Sequence, residues 1–196
     1  MEPLLIEHLR EILDSLPRNT ISKRDAALLM VGFAGGLRRS ELVALDFEDI
    51  TRVPAGLRVT IMRSKTDQAA RGRLIAIPYG RTRHCPIKNL DAWLGEIEPQ
   101  QGPMFRSCTK AGKVRHHRLS PEAVAVIVKK HAHRIGLDAV NYSGHSLRAG
   151  FVTSAIQAGA AEHAIRRQTG HASVTTMERY IRLANLFEDS PAGLLF

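Results

Sequence analysis

Six side chains in this sequence have the types needed to attack and hold a phosphoryl group: Arg38, Lys65, His145, Arg148, His171 and Tyr180. A phenol is a poor nucleophile until its proton is taken and the charge on its target is neutralised. A basic group meets the first need. Planar guanidinium forks meet the second, because they bind phosphate oxygens two at a time. The set therefore suits phosphoryl transfer without a metal, by electrostatic stabilisation of the transition state.

Each residue taken singly has a plainer reading. Arg38 and Glu41 are spaced as a surface i,i+3 ion pair, although Glu41 can equally hold Arg38 in place across one helical turn. Lys65 stands in a polar turn where a lysine is ordinarily solvated; a flexible ammonium there can also donate a proton into a groove. His145 and Arg148 fall in the first turns of a helix, whose amino end carries positive dipole. Tyr180 follows His171 by nine positions, 180 − 171 = 9, on a following helix. Alone it reads as a half-buried core residue.

The elements that must position these residues follow from pattern. In 4–16, Leu5, Leu9, Ile12, Leu13 and Leu16 make one helical stripe, and Pro17 ends it. Residues 22–34 form a second helix, apolar nearly all round and therefore buried, with Ser22 as N-cap and Asp25 in its first turn. The stretch GGLRRS breaks it, and a short helix capped by Ser40 follows. The period then changes. DITRV, LRVTIMRS and RLIAIPY alternate partially and are rich in β-branched residues, which predicts three antiparallel strands with Lys65 at an exposed tip. A helix follows over IKNLDAWLGEI, with Ile87, Leu90, Leu94 and Ile97 on one face and Trp93 at its edge. GPMFRS is a short extended piece. Ser120, Pro121 and Glu122 open the next helix. Helical pieces are expected at 146–158, 161–169 and 173–187.

The composition bounds the function. The 196 residues suffice for one sizeable core that needs no disulfide or metal to hold it together. Two cysteines, Cys85 and Cys108, without CxxC spacing fit a reducing compartment. The chain shows no membrane-spanning stretch and no signal-peptide layout. Lys and Arg number 28 against 19 Asp and Glu, for a net charge of +9. A field of that sign draws polyanions, with nucleic acid first among them and an anionic membrane surface second.

Order and spacing then carry a resemblance. GLRRSELVAL with Arg38 and Glu41, RSKTDQ with Lys65, GHSLRAGFVT with His145 and Arg148, TGH with His171, and TTMERYIR with Tyr180 make the chain similar to the catalytic domain of the tyrosine recombinases, the phage-integrase family. Type IB topoisomerases are mechanistic cousins. The match runs from residue 20 to residue 187. The resemblance implies a mainly α fold with a small three-stranded antiparallel β-sheet, an α+β integrase-type catalytic core. It implies site-specific DNA cleavage and rejoining through a 3′-phosphotyrosyl bond made by Tyr180. Arg38 and Arg148 would clamp the non-bridging oxygens and His171 would add a third hydrogen bond. Lys65 would protonate the departing 5′-oxygen, His145 would accept the tyrosine proton, and Glu41 would orient Arg38. No cofactor and no metal would be needed.

The resemblance further implies double-stranded DNA as partner, a synaptic tetramer on DNA with a monomer free in solution, no membrane, and a cytoplasmic, nucleoid-associated protein of a bacterium or phage. It marks 1–196 as a single catalytic domain without the family's N-terminal DNA clamp. It also marks 181–196, with Ile181, Leu186, Phe187, Leu194, Leu195 and Phe196, as a tail that docks on a neighbouring protomer or folds back on its own domain. A DNA-binding module without activity and topoisomerase-like relaxation are the competing readings.

Other residues take quieter roles. Arg106, Lys110, Lys113, Arg115 and Arg118, around His116 and His117, form a basic connection suited to the DNA backbone rather than to a metal. His131 and His133 are expected at the surface, and His84 and Cys85 are expected to be incidental. Gly144 is expected to turn the chain into its helix, and Gly150 to keep that helix thin. Arg148→Ala is expected to leave the fold intact.

Overall fold

The structure is a computed structural model and describes residues 1–62, 72–98 and 100–170. The amphipathic stripe of the first segment becomes helix α1 (Ile6–Ser15), with Leu9 and Ile12 fully buried. The apolar second segment becomes α2 (Thr20–Ala34), which runs through the middle of the core and packs on α4 (Pro86–Leu94), α5 (Pro121–Arg134) and α6 (Gly144–Gln157). Its cap is Asn19, not Ser22: the Asn19 side chain accepts from the Ser22 N–H at 2.9 Å, and the helix starts two residues earlier than the sequence pattern suggests. Asp25 therefore sits beyond the first turn. There it is fully buried, where α2 meets α5.

Three strands form as expected: β1 (Ile50–Val53), β2 (Gly56–Ile61) and β3 (Arg73–Pro78), antiparallel in the order β1-β2-β3. Val59 pairs with Ile75 and Leu57 with Ile77, all four buried, so one face of the sheet closes the core. Helix α4 (Pro86–Leu94) starts on Pro86. Trp93, at the edge of the apolar face, is also fully buried, and its indole Nε1–H donates to the Met104 carbonyl at 2.9 Å. The basic connection folds as a second, two-stranded sheet, β4 (Arg106–Cys108) with β5 (Val114–Arg118).

Helix α5 (Pro121–Arg134) is capped by Ser120, as its sequence indicates. It also corrects a histidine. His131 is 1% exposed, and its Nε2 lies 2.8 Å from an Asp25 carboxylate oxygen. Arg24 donates to the other oxygen from Nε at 3.0 Å and Nη2 at 2.6 Å, and Lys130 approaches at 3.3 Å. A buried carboxylate keeps its charge only with such partners, so the cluster pins α2 to α5. His133, two positions on, is exposed.

Helices α6 (Gly144–Gln157) and α7 (Glu162–Thr169) complete the described chain. The third expected helix, 173–187, and the tail 181–196 lie outside the described residues.

Candidate active site

The site is built where the amino end of α3 (Arg39–Ala44) meets the amino end of α6. Arg38 occupies the cap position of α3, and Ser40 lies inside the helix. Glu41, three residues along, reaches back and accepts from the Arg38 backbone N–H at 2.9 Å. This is the glutamate half of a capping box. The same carboxylate accepts from Arg38 Nη1 at 2.7 Å and from Arg73 Nη1 and Nη2 at 2.9 and 2.8 Å. Glu41 is 3% exposed, so this is no surface pair. Burial alone would raise its pKa. The hydrogen bonds of Arg73 and Arg38, with the charge of Arg73, outweigh burial and hold the carboxyl below the ordinary glutamate range. The carboxylate thus fixes Arg38 in direction while leaving part of its guanidinium toward the open side.

The GHSLRAG stretch is the first half of α6. Ser143 caps it, accepting from the His145 N–H at 3.1 Å and donating its own N–H to the Ser146 hydroxyl at 3.0 Å. Gly144 serves a close approach rather than a turn. A Cβ there would stand 3.0 Å from the Arg39 side chain, which lies across the start of the helix. Gly150 has the role expected of it, since a Cβ there would sit 1.9 Å from the Leu4 carbonyl oxygen.

Arg148 is 6% exposed. Its Nη1 donates to the Gly36 carbonyl at 2.8 Å and to the Thr169 carbonyl. Gly36 reaches that position with φ of +56°, a conformation glycine adopts freely. A side chain there would collide with Thr169 and Phe151. Arg148 therefore joins the loop before α3 to the end of α7, which gives its side chain a structural contact as well as its place in the site.

His145 is exposed one turn ahead of Arg148. Its pKa is lowered, first by partial burial and then by the positive charges of Arg39, Arg148 and Arg38. Those three arginines therefore share its neighbourhood, and a neutral imidazole suits a proton acceptor. Thr169 and Gly170 close the described chain beside the same residues. Gly170 ends α7 with φ of +67°, and a Cβ there would meet the Arg73 guanidinium at 3.0 Å. Gln168 ties this end down by donating to the carbonyls of Ala34 and Ala76 at 3.0 and 2.9 Å. Lys65, His171 and Tyr180 lie outside the described residues.

The basic hairpin divides. Lys110, Lys113 and Arg115 are exposed, as are His116 and His117. Arg106 is 3% exposed and donates to the carbonyls of Pro103 at 3.0 Å and Gln101 at 2.6 Å, so it holds a loop. Arg118 is anchored to the Val43 carbonyl at 2.7 Å and to Asp46 at 2.6 Å. His84 pairs with Asp14 at 2.7 Å, and the buried Cys85 sulfur accepts from the Gly80 N–H at 3.1 Å.

Arg73 and Arg39 are the site residues that the sequence pattern did not single out. Arg73 had a signal: it shares its strand face with Ile75 and Ile77, both buried, so alternation turns a guanidinium inward at the start of β3. Arg39 had none, because its place depends on the contact of two helices distant in sequence. Among the described residues no three His, Cys, Asp or Glu side chains gather as a metal-ligand set, and no helix is long and apolar enough to cross a membrane.

This arrangement of helices around a small sheet is the fold of known recombinase and integrase structures. It matches a crystal structure of the XerH site-specific recombinase bound to a palindromic difH substrate, with TM-score 0.75 and 21% identity over 99% of this chain and 53% of that one. It also matches a lambda integrase dimer bound to a COC′ core site, with TM-score 0.63 and 19% identity over 92% of this chain and 59% of that one. Residues 4–186 fit the sequence model of the phage integrase family, and the chain belongs to that family. It is 40% identical to the integrase/recombinase XerD homolog of Selenomonas ruminantium over 99% of its own length and 58% of that protein. It is 30% identical to the tyrosine recombinase XerC of Pelotomaculum thermopropionicum, over 83% of this chain and 51% of that one. The chain thus spans little more than half the length of these relatives.

Proposed function

We propose that this chain cuts and rejoins DNA strands at a specific site through a tyrosyl-phosphate intermediate. The observation that carries the reading is the convergence of Arg38, His145 and Arg148 at the meeting of two helix ends, with Arg38 fixed by a buried carboxylate. Two guanidinium groups and a helix amino end make a cradle for a phosphate. The neutral His145 beside it takes the nucleophile's proton. Tyr180 is the nucleophile and forms a bond to the 3′-phosphate. Lys65 gives a proton to the departing 5′-oxygen, and His171 adds a hydrogen bond to the phosphoryl oxygens. The phosphodiester energy is retained in the tyrosyl bond, so the reaction uses no metal and no cofactor.

The relatives are named as recombinases, which favours exchange between partner DNA strands over simple relaxation or inactive binding. Double-stranded DNA is the partner, and four copies assemble on it for exchange. The 196 residues act as one catalytic unit in the cytoplasm, on the nucleoid. Lys110, Lys113 and Arg115 meet the DNA backbone.

The test is covalent trapping. The protein is incubated with nicked duplexes carrying a randomised core, and adducts are recovered from denaturing gels and sequenced. One enriched core and loss of the adduct in Tyr180→Phe are expected. An adduct that survives Tyr180→Phe removes the nucleophile assignment, and adducts without sequence preference favour relaxation.

A further inference from the structure

Glu41 is gripped by two arginines, and only one of them, Arg38, belongs to the phosphate cradle. Arg73 is the other. Its guanidinium fork lies along the carboxylate, Nη1 to one oxygen at 2.9 Å and Nη2 to the other at 2.8 Å. This bidentate arrangement fixes both the position and the plane of an acid. Arg38 engages one oxygen through its backbone N–H and the other through Nη1, and Arg73 adds a second bond to each from a separate strand. Four hydrogen bonds from two elements hold the carboxylate more firmly than the two from α3 alone.

Two further facts place Arg73 at a junction. It is the first residue of β3, immediately after the connection from β2 that carries Lys65. The backbone of Gly170, the residue before His171, packs so closely on its guanidinium that a Cβ would stand 3.0 Å from Nη1. The Arg73 side chain is 16% exposed, held between the Glu41 carboxylate and Gly170.

Resting on the reading of the site given above, we infer that Arg73 is a positioning residue for the cleavage reaction, holding Arg38 on the phosphate through Glu41. It does not touch the DNA. Its effect on the rate passes through the carboxylate, so it depends on Glu41 being present and ionised.

The experiment is a double-mutant cycle of single-turnover adduct formation, using the duplex selected with the unaltered protein. Arg73→Met is expected to slow the adduct at least about tenfold. Arg73→Lys, which keeps the charge but not the fork, should recover part of that loss. In a Glu41→Gln background, Arg73→Met should add less than about twofold, because the path is already broken. Removing Arg73 also lets the Glu41 pKa rise, so the Arg73→Met deficit should deepen as the pH is lowered from 7 to 5. A purely structural loss would be level across that range. If Arg73→Met does not fold, the cycle is run with Arg73→Lys. An equal loss in both Glu41 backgrounds, or an unchanged rate in the variant, overturns the inference while leaving the cleavage reading in place. An unaltered protein that forms no adduct overturns the cleavage reading and the inference with it.

Discussion

Arg148 donates through one guanidinium nitrogen to two carbonyls from opposite ends of the chain, Gly36 at 2.8 Å and Thr169. One residue is thus both a phosphate ligand in the proposed reaction and the clasp between the loop before α3 and the end of α7.

Arg148→Ala is therefore expected to fail twice. Cleavage should fall to background, and stability should drop by about 1–3 kcal/mol for the two buried carbonyls deprived of their donor. His145→Ala is expected to slow cleavage less, since water partly replaces a base, and to leave stability unchanged because the side chain is exposed. Single-turnover cleavage and urea denaturation of both variants read the difference. Equal losses in rate would overturn the division of roles.

Glu41 titrates lower in the folded than in the unfolded chain. Its network therefore adds stability above the ordinary glutamate pKa of 4.5 and loses it as the pH falls through the depressed folded value. Glu41→Gln should cost about 3 kcal/mol at pH 7. That gap should close on acidification, as measured by denaturation at a series of pH values. A gap independent of pH would show that the carboxylate charge is not what matters.

His145 should titrate below 6.5 in the folded protein, followed by NMR of its ring protons. A lowered midpoint keeps the imidazole neutral over the interval between the folded value and 6.5, where an ordinary histidine carries charge. Arg39→Gln removes one of the three flanking charges and should move the midpoint upward. No movement would mean that Arg39 lies too far away to act.

The hairpin arginines and lysines should separate by salt titration of DNA binding. Replacing exposed Lys110, Lys113 or Arg115 by alanine should weaken binding and lower the salt slope by about one for each phosphate that loses its cation. Arg106→Ala should leave the slope unchanged and lower the melting temperature, because its guanidinium is used on two loop carbonyls.

Gly150→Ala should destabilise the protein by about 1–3 kcal/mol. Its methyl group would stand 1.9 Å from the Leu4 carbonyl oxygen, so the N-terminal segment must lift away from α6. The Leu4 N–H, bonded to the Ser146 carbonyl at 2.9 Å, should then exchange faster with solvent.

The parts of the fold that show in the sequence are those with a period. The stripe of α1, the apolar α2, the three alternating strands and the Ser120–Pro121 start of α5 all stand where pattern puts them. The β4–β5 pair escaped because VRHHR carries no apolar alternation to mark a strand. His131 read as a surface residue because its burial depends on Asp25, 106 positions away. Asn19 outcompeted Ser22 as a cap through a choice among neighbouring polar residues that hydrophobic pattern does not rank. At the site, Arg38, Glu41, His145 and Arg148 were legible as residue types at a spacing. Arg73 was marked only by strand alternation with the buried Ile75 and Ile77, and Arg39 by nothing, since its role arises from the meeting of distant segments.

Beyond the local Arg38–Glu41 pair, the cradle for the phosphate is held by contacts between distant segments. Arg148 reaches Gly36 across 112 positions and Thr169 across 21, and Glu41 meets Arg73 across 32. None of these clasps lies within one helix or one hairpin, so a fragment that keeps the Arg38–Glu41 pair still lacks the rest of the cradle. A nascent or damaged chain carries the arginines but not their arrangement. For a protein that breaks a genome's backbone on the proposed reading, tying competence to complete folding is a safeguard against stray cuts.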